Sequence, residues 1–267
     1  MKTTIYLTAE DFNLEKTLEC GQYFRYKKNE DGSYSGVVLD EEVVLSQLDN
    51  ILIVEGNVSK ENLSHFFTLD VNYEKINESI SQNETLKSIL DYSSGIHILR
   101  QPLFESLISF IISQNNNIKR ITGIIESLCN TYGERISNDY YSFPKPSTLA
   151  VLTQKDLAPL RMGFRDRYVI DAAKRWESGD INQKIVREAP LKEARAELMK
   201  IYGVGPKVTD CTLLYGASRL DAFPEDVWIK RAMLALFPNG LPLYTKEYAG
   251  IVQQYIFYYA RNNPLIV

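Results

Sequence analysis

The sequence predicts an α+β fold in two parts: an N-terminal antiparallel β-sheet domain with helices over residues 1–94, then an all-α domain over residues 95–267. Three observations carry this reading. The hydrophobic period changes from two to about 3.6 residues after the strand-like first ~55 residues, and the pattern is helical almost throughout from Gly95. The charge changes with it: residues 1–94 hold 8 Lys and Arg against 17 Asp and Glu, a net −9, whereas residues 95–267 hold 22 against 17, a net +5. Finally, 267 residues exceed one average domain of about 100–200, and 45% hydrophobic with 24% charged residues is ordinary for a packed globular chain.

The first five elements read as strands. TTIYLTA, QYFRYKKN, YSGVVLD, EVVLSQL and NILIVEG are short, rich in Val, Ile, Tyr and Thr, and separated by polar turns such as NEDGS. SKENLSHFFTL opens on Ser59 with Glu61 in its first turn, so a helix follows, and residues 72–94 continue in helical register. Beyond Gly95 the pattern is helical almost throughout. LFESLISFIIS (103–113) stops at Gln114-Asn115-Asn116-Asn117, and residues 118–133 end on a glycine C-cap. Further helices are expected at 147–153, 154–161, 165–178, 191–202, 206–217, 226–237 and 244–262.

Several function classes are excluded. No run of about 18 apolar residues exists to cross a membrane, and the N-terminus carries no export signal, so a cytoplasmic location is expected. Cys20, Cys129 and Cys211 are far apart, and His65 and His97 are the only histidines. That leaves too few ligands at suitable spacing for a zinc site or an iron–sulfur cluster. The basic C-terminal part could face phosphates, although such asymmetry also arises without function.

The segment with most chemical content is Gly203-Val204-Gly205-Pro206-Lys207. A helix ends, a tight turn follows, and a second helix starts with Pro in its first turn. Two glycines permit a hairpin whose amides point outward beside a helix N-terminus, which suits a phosphate oxygen. It is equally a plain αα-hairpin when read alone. Asp226, at the start of VWIKRAMLALF, is a natural N-cap.

Taken together, the hairpin and the downstream Asp resemble the helix-hairpin-helix DNA glycosylases. Gly95-Ile96-His97-Ile98-Leu99-Arg100-Gln101-Pro102, Ser113-Gln114-Asn115-Asn116-Asn117, Leu160-Arg161-Met162-Gly163-Phe164-Arg165 and Cys20-Gly21-Gln22-Tyr23-Phe24-Arg25 look like the eukaryotic-type 8-oxoguanine DNA glycosylases, also found in bacteria. The resemblance spans roughly residues 11–260 with its motifs in order. It implies an enzyme that binds double-stranded DNA containing 8-oxoguanine as a monomer, with no membrane partner, excises the lesion (preferably opposite cytosine) and nicks the strand.

The resemblance assigns roles residue by residue. Lys207 marks the bifunctional members: a helix start disfavours an ammonium, and an unprotonated amine there can attack the sugar. Asp226 would stabilise positive charge on the sugar and could cap its helix as well. Guanine N7 is an acceptor, whereas the lesion carries N7–H, so a backbone carbonyl separates the two; the resemblance gives that carbonyl to Gly21, which reads without it as a bulge or turn. Gln253 would address the base edge, with Phe257 and Cys211 on its faces, although both read blindly as core. Asn115, Arg120 and Arg165 would meet the orphaned cytosine, and Phe164 would be the wedge; by themselves they read as a helix stop and solvated surface. No cofactor is required, and a main-chain-bound cation is implied at the carbonyls of Met199, Ile201 and Val204.

Three residues depart from the family pattern. Trp228 stands where a phosphate-contacting His is common, Phe164 replaces a Tyr, and Tyr26 replaces a Trp. Two rival readings stay open: an alkylated-base glycosylase, which would keep Asp226 but lack Lys207, and a non-enzymatic hairpin DNA-binding protein, which needs neither.

Overall fold

The computed structural model describes residues 3–264. Strands β1 (Thr3–Thr8), β2 (Tyr26–Lys28), β3 (Tyr34–Val38), β4 (Glu41–Leu48) and β5 (Ile51–Gly56) form one antiparallel sheet in the order β1-β5-β4-β3-β2. Period-two burial along β4 and β5 turns Val43, Leu45, Leu52 and Val54 onto one face, where Leu18, Leu63, Phe66 and Phe67 cover them.

The second expected strand is a correction. Only Tyr26–Lys28 is extended, and the chain before it forms helix α1 (Leu14–Glu19) and a loop. Asn13 caps α1 by accepting from the Lys16 amide at 2.8 Å. Gly21 leaves the helix at φ +85, a left-handed exit that glycine supplies cheaply. The loop then turns inward. Gln22, wholly buried, donates to the His97 carbonyl at 2.7 Å and accepts from the Leu99 amide at 2.9 Å, so its hydrogen bonds go to residues 97–99 rather than to a strand.

Helices α2 (Lys60–Phe66), α3 (Tyr73–Ile80) and α4 (Glu84–Ser93) follow the sheet. The remainder is α5 (Leu103–Ser113), α6 (Ile118–Tyr132), α7 (Pro146–Ala150), α8 (Gln154–Leu157), α9 (Asp166–Glu177), α10 (Gln183–Glu188), α11 (Leu191–Leu198), α12 (Pro206–Cys211), α13 (Val227–Leu236) and α14 (Ala249–Asn262). Helix α10, capped by Asn182, was not foreseen in the pattern. Helix α12 runs into a buried π-helical turn, Thr212–Gly216, and the expected helix at 244–262 begins as a tighter 3₁₀ turn, Leu243–Tyr248. No helix among the described residues is long and apolar enough to cross a membrane.

The hydrophobic cores do not divide at residue 94. Tyr73, Ile80, Leu86 and Ile89 of α3 and α4, together with Cys20 and Phe24, belong to the helical core. Ser93 donates to the Tyr255 carbonyl at 3.0 Å, tying α4 to α14. The change from strand to helix comes earlier, between β5 and α2, and the packing places α3 and α4 with the helices that come later. Residues 20–24 therefore reach the helical core, and Gly21 with them.

Candidate active site

The α1–β2 loop, α5, α12, α14 and the residues before α13 converge on one small cleft. Its lining includes Gly21, Phe110, Lys207, Cys211, Asp226, Gln253 and Phe257, and its volume is about 50 Å³. Phe257 is the half-buried wall.

Lys207 sits in the first turn of α12. Its Nζ donates to Ser113 Oγ at 3.3 Å and lies 5.1 Å from the centre of the Phe110 ring, both on α5. On the other side of α12, Asp210 receives a bidentate pair from Arg195 of α11 at 2.7 and 2.9 Å, which fixes the helix so that Lys207 and Cys211 face the cleft. Burial pushes the Cys211 thiol up to about 11 and Cys20 up to about 12, so both are neutral thiols that pack rather than react. Asp226 caps α13, with Oδ1 accepting from the Ile229 amide at 2.8 Å. Its second oxygen remains for the cleft.

Gln253 is 4% exposed, and its carboxamide oxygen has no hydrogen-bond partner. A buried acceptor left unpaired costs about 1–3 kcal/mol, which marks Gln253 as a group that a ligand completes. The neighbouring Gln254 is fully engaged instead: it donates to the Cys20 carbonyl at 3.2 Å and accepts from Tyr215 Oη. That contact locks α14 against the loop that carries Gly21.

The hairpin between α11 and α12 is shaped by two different glycines. Gly203 has φ +78, and a Cβ there would stand 2.4 Å from the Tyr168 ring, so both backbone and packing demand glycine. Gly205 is the N-cap of α12 with open space around it. The Val204 amide donates to the Ile201 carbonyl at 3.1 Å. The expected outward-pointing amides therefore reduce to Gly205 and the first turn of α12, because closing the turn consumes that of Val204.

Comparison with known proteins identifies the family. The N-terminal domain of 8-oxoguanine DNA glycosylase matches residues 4–107, and the HhH-GPD superfamily of base excision DNA repair proteins matches residues 108–246. An N-glycosylase/DNA lyase of Saccharomyces cerevisiae is 31% identical over 256 residues, covering 84% of this chain and 68% of that protein. The chain belongs to the 8-oxoguanine DNA glycosylase family.

Two solved structures extend the likeness over the whole chain. MBOgg1 in complex with a low affinity DNA ligand has a TM-score of 0.91 and 40% identity, covering 98% of this chain and 96% of that one. The Clostridium acetobutylicum 8-oxoguanine glycosylase/lyase in complex with DNA containing cytosine opposite to 8-oxoG has a TM-score of 0.89 and 33% identity, covering 99% and 98%.

A second group of the expected residues is gathered around the end of α5 and the turn Gly163–Arg165. Asn115 is exposed at φ +48 just past α5, and Phe164, 41% exposed, sits in the turn Gly163–Arg165. Arg165 does not face outward as expected. It is 3% exposed and donates to the carbonyls of Met162 at 2.9 Å, Asn115 at 3.0 Å and Gln114 at 2.8 Å. A guanidinium with those acceptors holds the Asn115 loop instead of reading a base. Burial, then the nearby Arg120 cation, pulls its pKa below the usual range. Arg120 itself is exposed and donates to the Arg161 carbonyl at 3.1 Å. Trp228 is half-buried beside Arg231.

Phe110, Tyr215 and Gln254 complete the cleft, Ser113 holds Lys207 beside it, and none of the four was singled out in the sequence. Ser113 lay inside a family motif, and its position as the last residue of an apolar helix was the available signal. The others looked like ordinary core.

Proposed function

We propose that this chain is a bifunctional DNA glycosylase that extrudes 8-oxoguanine from opposite cytosine, excises it through a Schiff base on Lys207, and then nicks the strand by β-elimination. One observation carries the reading: Lys207, Asp226 and the unpaired Gln253 oxygen share a single cleft walled by Phe257 and Cys211.

In this scheme the Lys207 Nζ lone pair forms a bond to C1′ of the sugar. The C1′–N9 bond breaks, and the base leaves with its electron pair and takes a proton. Asp226 lies where its free carboxylate oxygen stabilises the positive charge that develops on the sugar. Opening of the sugar ring gives the Schiff base; loss of a C2′ proton then expels the 3′ phosphate. Ser113 donates its own hydrogen to the Phe110 carbonyl at 2.8 Å. Its oxygen thus only accepts from Lys207, and the amine lone pair stays free for attack.

Specificity rests on pairing. Gln253 addresses an N–H of the base edge, and the Gly21 carbonyl accepts from N7–H, which guanine lacks. Asn115 and Arg120 face the orphaned cytosine, with Phe164 filling the vacated stack. No protein group among the described residues forms a cluster of His, Cys, Asp or Glu suited to a metal. The family resemblance nevertheless implies a main-chain-bound cation at the carbonyls of Met199, Ile201 and Val204; Met199 is the C-cap of α11, at the negative end of that helix, and the Ile201 carbonyl also accepts from the Val204 amide. Such an ion would neutralise phosphate charge at the hairpin.

Borohydride trapping tests the chemistry. Wild-type protein should form a covalent adduct with duplex containing 8-oxoguanine opposite cytosine, and Lys207→Gln should lose trapping and base release together while still binding that duplex. Normal trapping by the variant would overturn the assignment.

A further inference from the structure

A guanidinium stands beside the hairpin with no role in the scheme above. Arg167 is exposed in the first turn of α9, its Cζ 5.4 Å from the Tyr168 ring centre and 5.5 Å from that of Tyr202. Those rings meet edge to face at 82°, 5.1 Å apart, so the cation occupies the corner between them. Among the described residues its guanidinium meets no carboxylate and no acceptor, only the two rings. The next residue back, Asp166, turns its carboxylate to Gln154 at 2.9 Å and to the backbone amide of Arg167. A cation at the positive end of a helix opposes the macrodipole, so this placement does not serve stability.

The corner is also held rigid. Tyr168 packs under Gly203, and the Tyr202 amide is bound by Asp171 at 2.8 Å, which in turn is gripped by Arg175 at 3.0 Å. Phe164 touches the other side of Tyr168, 5.6 Å between ring centres. An aromatic ladder thus joins the wedge turn to the hairpin, and Arg167 projects from its middle.

We propose that Arg167, pre-oriented by Tyr168 and Tyr202, is a binding site for a phosphodiester of the DNA backbone lying between wedge and hairpin. The two rings hold the cation in the corner between them and leave N–H groups for phosphate oxygens. Tyr202 is a positioning residue, 54% exposed, that acts through the arginine. The inference rests on DNA being the ligand and not on the identity of the excised base.

Fluorescence anisotropy with undamaged duplex, titrated across salt concentrations, tests this independently of excision. Arg167→Gln should weaken binding about tenfold at moderate salt and reduce the slope of log K against log salt by about 0.9, one phosphate. Tyr202→Leu should weaken binding about threefold in the wild-type background and hardly at all once Arg167→Gln is present. An unchanged slope in Arg167→Gln would overturn the proposal. So would an equal loss from Tyr202→Leu in both backgrounds, which would show the ring meeting DNA directly. Failure of lesion excision with these binding results intact would count against the catalytic scheme only.

Discussion

Gln253 and Arg165 are almost equally buried, at 4% and 3% exposed, yet they are satisfied in opposite ways. The Gln253 oxygen faces a cleft with no partner, whereas Arg165 spends its guanidinium on the carbonyls of Met162, Gln114 and Asn115. The cleft is left incomplete for a ligand to finish. The Asn115 loop is completed by the protein itself, so that an exposed Asn115 is held in a left-handed conformation that would otherwise relax. A charged side chain in such a motif can therefore act on the protein itself: here the buried charge shapes the loop.

Breaking the Asn115 loop should show the largest effect. Arg165→Gln leaves main-chain carbonyls without their charged donors, and leaving such acceptors unpaired costs about 1–3 kcal/mol. Urea denaturation should register that loss, and excision should fall more opposite cytosine than opposite adenine, because Asn115 loses its hold. A variant as stable as wild type would mean that Arg165 holds nothing in place and is free to meet DNA.

The cleft should respond in the opposite sense. Gln253→Leu replaces an unpaired buried oxygen with apolar volume, so stability should stay level or rise by up to about 1 kcal/mol. Excision of 8-oxoguanine should drop by about one to two decades, since an N–H of the base edge then goes unpaired. A loss of stability without a loss of excision would reverse the comparison.

This asymmetry explains what the sequence revealed. The hairpin and the Asp226 cap were legible because both are local patterns, whereas the roles given to Lys207 and Asp226 came from the family resemblance; the strands and long helices followed from period alone. Helices α1 and α10 escaped because each is six residues long, and their Asn13 and Asn182 caps give little pattern to read. Residues 22–25 look like a strand, but the buried bonds of Gln22 to residues 97 and 99 override that propensity. Ser113 meets Lys207 across 94 residues of chain, a pairing only the packed helices create. The saturation of Arg165 is tertiary in the same way.

The smallest expected effect separates two glycines that share one backbone strain. Gly21 and Gly203 have φ of +85 and +78, so alanine suffers about 1–2 kcal/mol of left-handed strain at either. Their surroundings differ. An added Cβ at Gly203 meets the Tyr168 ring at 2.4 Å and forces the aromatic ladder to move, whereas at Gly21 its nearest neighbours are Arg261 and Ile118 at 3.7 Å and Phe257 at 3.8 Å, ordinary contacts. Gly21→Ala should therefore lower stability by about 1 kcal/mol, a melting shift of about 2–4 °C, and by less than Gly203→Ala. Because the carbonyl remains, Gly21→Ala should keep its preference for 8-oxoguanine over guanine even if base entry slows beside Phe257. Loss of that preference, with trapping on abasic DNA intact, would show that Gly21 serves by leaving room rather than by presenting an acceptor to N7–H.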